Sequence, residues 1–159
     1  MKQQVDISTI EIPLENNQNL HDRIEIRLPS DPKILKVLRL AVLHMCECAG
    51  FREDDGKSTM LAVDEACTNI IKHTYKGQNN RPIIAVCEII GKGIQVTLRD
   101  FGKKVQQKKL KSRALDDIRP GGLGIHFISS IMDKVEYDNS CKEGNKLVMT
   151  KYDPQSEED

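Results

Sequence analysis

Tryptophan is absent from this chain, and three Tyr and three Phe make up only 4% of its 159 residues. A folded core must therefore be assembled from Ile, Leu, Val and Met. The five cysteines, Cys46, Cys48, Cys67, Cys87 and Cys141, are odd in number and include no CxxC pair. That pattern argues against a disulfide framework or a structural zinc site, and predicts a reducing, cytoplasmic setting. No run approaches the ~20 apolar residues of a membrane span, and residues 1–20 lack the apolar centre of a signal peptide. Charge of either sign is not in excess: 24 Lys and Arg balance 24 Asp and Glu. Broad electrostatic attraction to nucleic acid or to an anionic membrane is thereby excluded, and neither is expected as a direct partner. The length suits one domain, since domains commonly run to ~100–150 residues. It is expected over 21–152, after an N-terminal extension at 1–20 and before a frayed, disordered acidic tail at 153–159.

Within the domain, Arg23-Ile-Glu-Ile-Arg-Leu28 alternates polar and apolar residues, the mark of a half-buried strand. Pro29-Ser-Asp-Pro32 then supplies a turn and a helix start. Ile34, Leu35, Leu38, Leu40, Ala41, Val42 and Met45 fit an amphipathic helix ending before Gly50. A second helix is predicted from about Lys57 to Tyr75, with Leu61, Glu65, Asn69 and His73 forming a stripe beside its apolar face. Pro82–Ile90 and Ile94–Leu98 read as strands joined through Gly91-Lys92-Gly93. Pro120-Gly-Gly122 breaks the chain before a helix over about Leu123–Met132, and strands near Lys134–Tyr137 and Lys146–Tyr152 complete the pattern. Strands outnumber helices that can cross between them. The expected class is thus α+β, a mixed, mostly antiparallel sheet with helices on one face, and a doubly wound Rossmann sheet is disfavoured.

Three sparse clusters carry candidate chemistry. Glu65 and Asn69 stand one helical turn apart, about 6 Å, on one face. One can accept a proton from an attacking hydroxyl while the other completes the shell of Mg²⁺, which favours few protein ligands plus phosphate and water. Asp100 follows a strand, where a buried carboxylate can accept a hydrogen bond from the exocyclic amine of adenine, and Gly102 lets backbone pass close to a base. Gly121, Gly122 and Gly124 open a helix, leaving backbone N–H groups and a positive dipole end for phosphates, with Arg119 as a nearby cation. Lys103–Arg113 holds six basic residues in eleven, a composition that is most often only solvated, but its place between the second and third clusters suits a closing lid. His73 reads as a helix-end hydrogen-bonding residue, and the cysteines as packing residues.

Leu61-Ala-Val-Asp-Glu-Ala-Cys-Thr-Asn-Ile-Ile-Lys-His-Thr-Tyr75, Leu98-Arg-Asp-Phe-Gly102 and Arg119-Pro-Gly-Gly-Leu-Gly-Ile125 resemble the N, G1 and G2 boxes of the GHKL ATPase superfamily, most nearly its anti-sigma factor serine/threonine kinase branch. The resemblance implies a two-layer Bergerat ATP-binding sandwich, with ATP and Mg²⁺ as cofactors. It also implies Glu65 as general base, Asn69 as magnesium ligand and Asp100 as adenine reader. The cofactor-binding set it implies is Asn69, His73, Asp100, Gly102, Arg119, Gly121, Gly122, Leu123, Gly124 and Asn145. Members of the branch bind a sigma factor or, alternatively, a STAS-domain antagonist that they phosphorylate, and commonly work as homodimers. Two positions depart from the pattern. Lys104 stands where the G1 box usually has a second glycine, and Gly144-Asn145 replaces the Gly-Thr that often helps to bind adenine. The competing expectation is a non-catalytic module that sequesters a regulator. Chaperone-like ATPase and histidine-kinase readings rank lower, since they need domains or a phosphoacceptor helix that the chain does not show.

Overall fold

The computed structural model describes residues 22–105 and 122–157. Strand β1 (Arg23–Pro29) leads to helices α1 (Leu35–Cys48) and α2 (Glu53–Asn69), and α2 passes directly into a π-helical turn, Ile70–Thr74. A hairpin, β2 (Pro82–Ile90) and β3 (Gly93–Asp100), is followed by α3 (Gly122–Ile131), β4 (Lys134–Asp138) and β5 (Asn145–Tyr152). The sheet order is β1-β2-β3-β5-β4, and each neighbouring pair is antiparallel. The expected mixed sheet is thus antiparallel throughout these strands.

The period-2 pattern sets which face is covered. Ile83, Ala85 and Cys87 of β2, Ile94, Val96 and Leu98 of β3, and Leu147 and Met149 of β5 all point toward the helices and are buried. Alternate residues such as Val86, Thr97 and Val148 face the opposite side and are only half-buried. On the covered face α2 packs between α1 and α3, so its side chains border both helices. Gly56 allows the close approach of α1, because a Cβ there would lie 3.3 Å from that of Cys46. Cys46, Cys67 and Cys87 are buried free thiols, and burial pushes the pKa of both Cys46 and Cys87 up to about 12. They act as apolar filling.

Several boundaries differ from the sequence reading, each for a local reason. α2 starts four residues before Lys57, where Glu53, Asp54 and Asp55 complement the positive helix end and Glu53 meets Lys57 at 2.6 Å. Ile34 and Leu40, assigned to the apolar face of α1, are 37% and 57% exposed. β3 extends through Asp100, which therefore ends the strand rather than following it. The start of the acidic tail, expected to fray, forms a 3-10 turn over Pro154–Glu157, where the Asp153 carboxylate accepts from the Gln155 N–H at 3.1 Å and its backbone N–H donates to the Lys92 carbonyl at 2.7 Å.

The π-helical turn has the largest consequence. Widening the last turn of the helix lets the Tyr75 N–H reach the Ile70 carbonyl at 2.8 Å and carries the Tyr75 ring into the core, where it is 3% exposed. Its hydroxyl donates to the Pro82 carbonyl at 2.5 Å and accepts from the Phe101 N–H at 2.8 Å. One phenol thereby ties the end of α2 to the entry of β2 and the exit of β3. Tyr75→Phe leaves both backbone groups without that partner, and the expected loss is about 1–3 kcal/mol of stability, read as a lowered melting temperature with secondary structure retained.

Candidate active site

Glu65 and Asn69 leave α2 one turn apart, both half-buried, on the flank that faces α3. Gly124, in the first turn of α3, lies against them. A Cβ at this position would fall on the Glu65 Oε1 and lie 3.2 Å from the Asn69 Nδ2. The first and third sequence clusters therefore meet, and they do so only because residue 124 has no side chain. Gly122 and Leu123 open α3, so the backbone N–H groups of its first turn lack intrahelical partners and can meet an anion beside Glu65 and Asn69. Arg119 and Gly121 lie outside the described residues, as does most of the basic Lys103–Arg113 stretch.

Asp100 is 3% exposed at the end of β3. Its Oδ1 accepts from the Gly102 N–H and from the Asn145 Nδ2, both at 3.0 Å, leaving Oδ2 as an acceptor for another donor. Burial pushes its pKa above the usual carboxylate value, while the hydrogen bonds from Asn145 and Gly102 oppose that shift. Gly102 is pressed between the sheet and the π-helical turn, where a Cβ would collide with the Thr74 methyl. Gly144, with φ at +69°, approaches the Asp100 carbonyl so closely that a Cβ has no room. The backbone around Asp100 is thus packed on both sides.

Asn145 is paired with Asp100 across the β3–β5 ladder, which puts their side chains on one face. Its two amide N–H groups go to Asp100 and to the Lys103 carbonyl at 2.9 Å, and its oxygen accepts from the Val105 N–H at 2.7 Å. With both donors engaged by protein, Asn145 supports Asp100 rather than offering a free N–H to a ligand. His73 is exposed: the change to π-helical winding interrupts the i, i+4 stripe that joined it to Glu65 and Asn69 in the sequence reading. Next to Gly102, a cleft of about 470 Å³ is lined in part by Lys76, Arg81 and Lys103.

Tyr75 and Arg81 escaped the sequence reading. Arg81 lies over the Tyr75 ring, 5.2 Å from its centroid, and donates to the Phe101 carbonyl at 3.2 Å. The only available sign was an aromatic residue at the end of an apolar helix, which reads equally well as ordinary packing.

A carboxylate and an amide beside an anion-binding helix start, with a buried carboxylate at the adjoining strand end, form a site suited to a magnesium-bound nucleotide. Comparison with known proteins supports an ATP-using domain. The sequence pattern of the histidine kinase-like ATPase domain matches residues 28–151. Serine-protein kinase RsbW from Staphylococcus aureus strains RF122 / ET3-1 and Newman is 35% identical to this chain over 145 residues, covering 85% of this chain and 89% of the relative. The solved structure of the RsbU and RsbW domains of Rv1364c from Mycobacterium tuberculosis superposes with a TM-score of 0.59 at 13% identity, over 82% of this chain and 31% of that longer one, a likeness of fold. The chain belongs to the histidine kinase-like ATPase domain family, in the branch that holds the RsbW serine-protein kinases.

Proposed function

We propose that this protein is an ATP-dependent serine/threonine kinase and anti-sigma factor, which transfers the γ-phosphate of ATP to a STAS-domain antagonist in a partner-switching system. The observation that supports this reading is the contact of Gly124 with Glu65 and Asn69, because the Glu65 carboxylate, the Asn69 amide and the start of α3 lie within one side chain's reach of each other. The names of the relatives supply the substrate class: they are serine-protein kinases. The sigma factor and the antagonist come from the family resemblance, as do a homodimer and a cytoplasmic location. No helix among the described residues is long and apolar enough to cross a membrane.

In this reading Asp100 accepts from the exocyclic amine of adenine through Oδ2, which selects adenine over guanine, since guanine carries a carbonyl at the corresponding carbon. The first turn of α3 receives phosphate oxygens through backbone N–H groups. Asn69 would hold Mg²⁺ through its side-chain oxygen; no cluster of three or more His, Cys, Asp or Glu suited to a metal occurs among the described residues. When bound, Mg²⁺ neutralises charge on the phosphates during transfer. Glu65 takes the proton of the acceptor Ser or Thr hydroxyl as its oxygen bonds to the γ-phosphorus and the bond to the β-phosphate oxygen breaks, releasing ADP. Positioning and charge neutralisation supply most of the rate.

The test combines ATP titration with transfer to a purified STAS-domain protein, followed by phosphosite mapping. Glu65→Gln is expected to keep ATP binding and to slow transfer by about 10²–10⁴-fold. Asn69→Ala is expected to remove the magnesium dependence of ATP binding. Tight ATP binding by the native chain without transfer to any STAS-domain acceptor would replace the kinase with a nucleotide-binding sequestering module.

A pH dependence also follows from burial of Asp100. The folded chain favours the protonated acid, so this carboxyl takes up its proton at a higher pH than the ordinary 3.8. Its contribution to stability therefore grows as pH falls through that range, whereas adenine loses its acceptor. ATP affinity is expected to fall on acidification above pH 3.8, and Asp100→Asn is expected to bind weakly without that component, as read by calorimetry across pH.

A further inference from the structure

In a chain whose charges balance, the cleft beside Gly102 does not. Lys76, Arg81 and Lys103 line it, and among the described residues no Asp or Glu does. None of these three cations forms an ion pair among the described residues. The walls are held in place from below. The buried Ser30 hydroxyl donates to the Gln78 carbonyl at 2.5 Å and accepts from the Arg81 N–H at 3.0 Å, while the Ser30 N–H donates to the Arg81 carbonyl at 2.7 Å. The loop after the π-helical turn is thereby tied to the end of β1. Arg81 lies over the Tyr75 ring and donates through one N–H to the Phe101 carbonyl, and its guanidinium keeps donors without a partner among the described residues.

Lys76 adds an independent sign. Its φ is +50°, the one positive value at a non-glycine position among the described residues. Gly, Asn and Asp take up that conformation most readily, and a lysine there is strained. Backbone strain gathers at ligand-binding sites, and the strained residue here is one that brings a cation to the cleft.

We propose that this cleft binds an acidic segment of the protein acceptor, whose Asp or Glu carboxylates pair with Lys76, Arg81 and Lys103. The nucleotide's own phosphates belong elsewhere in the site. The cleft borders Gly102, beside Asp100, whereas the start of α3 lies against Glu65 and Asn69. Lys76 follows Asn69 by seven residues, roughly 10 Å of helix at about 1.5 Å per residue. Nucleic acid is a poor fit as well, since it calls for a stripe of cations along many phosphates, and here three converge on one cleft of about 470 Å³. That volume suits a short stretch of peptide. Arg81 offers a planar fork to a carboxylate, and the exposed Lys76 and Lys103 supply point charges that steer the segment in. Docking here raises the local concentration of the acceptor without contact to the reacting atoms.

The naming of the partner as the acceptor rests on the kinase reading; the preference of the cleft for carboxylates does not, and it is measured on the full chain without nucleotide. A fluorescent octapeptide of alternating Asp and Glu is expected to bind, more weakly as salt rises. Lys76→Asn removes a cation while suiting the positive φ, so the fold is kept, and it is expected to weaken peptide binding about fivefold. Lys103→Gln should do the same. Lys57→Gln, at the opposite end of α2, should leave peptide binding unchanged.

Peptide binding by Lys76→Asn as tight as by the native chain overturns the proposal. So does an equal loss in Lys57→Gln, which marks attraction by net charge alone, or displacement of the peptide by saturating ATP, which assigns the cleft to the nucleotide. In the transfer assay, Lys76→Asn is expected to raise the KM for the STAS-domain acceptor about fivefold, by more than it changes kcat. An unchanged KM overturns the assignment to the acceptor. Failure of transfer by a native chain that binds the peptide counts against the kinase reading, while the peptide result still supports the cleft.

Discussion

The close packing of α3 on α2 at a bare glycine is the constraint on which the site depends. Helices approach one another through side chains, and at Gly124 that layer is missing, so the first turn of α3 comes directly onto Glu65 and Asn69. Two features gain their meaning from this approach. In the proposed function, a carboxylate on a helix surface becomes a group aimed at whatever the neighbouring helix start holds, and that helix start becomes an anion site with a base beside it. The sheet contributes indirectly, because Ile83, Ala85, Val96, Leu98 and Met149 share one buried core with Ala62, Val63, Ala66 and Cys67 of α2.

The other half of the site is stabilised by hydrogen bonds rather than by close packing of apolar groups. Asp100 is a carboxylate buried at the end of a strand, a position that costs free energy unless its oxygens are met. Gly102 and Asn145 meet one oxygen, and the backbone that brings them there is fixed by Tyr75 on one side and Gly144 on the other. The π-helical turn makes this possible. By ending α2 with a wider turn it places Tyr75 under the exit of β3, and it separates His73 from the stripe that regular α-helical spacing would give it.

The repeating features were legible in the sequence, and the close contacts were less so. Period-2 alternation located β1, the glycine link Gly91-Lys92-Gly93 located the β2–β3 hairpin, and the i, i+4 spacing of Glu65 and Asn69 placed both on one helix face, because each signal depends only on local backbone geometry. The meeting of Gly124 with Glu65 was visible only through the family resemblance, since no local pattern states which helix a glycine will touch. Asn145 was found as a departure at an expected position. Its three hydrogen bonds were not foreseeable, because they join residues 40 to 45 apart. Tyr75 and Arg81 escaped for a similar reason: a π-helical turn leaves no periodic trace in five residues.

The most direct measurement of the central claim is phosphate transfer by Gly124→Ala alongside its ATP affinity. The added methyl meets the far end of a flexible side chain, so Glu65 can swing away and the fold can persist. The account predicts a melting temperature near that of the native chain, with transfer slowed at least tenfold, and by more than any loss of ATP affinity, because the proton acceptor is displaced. Transfer at the native rate would show that Glu65 does not need the space beside Gly124, and would contradict the role assigned to that contact.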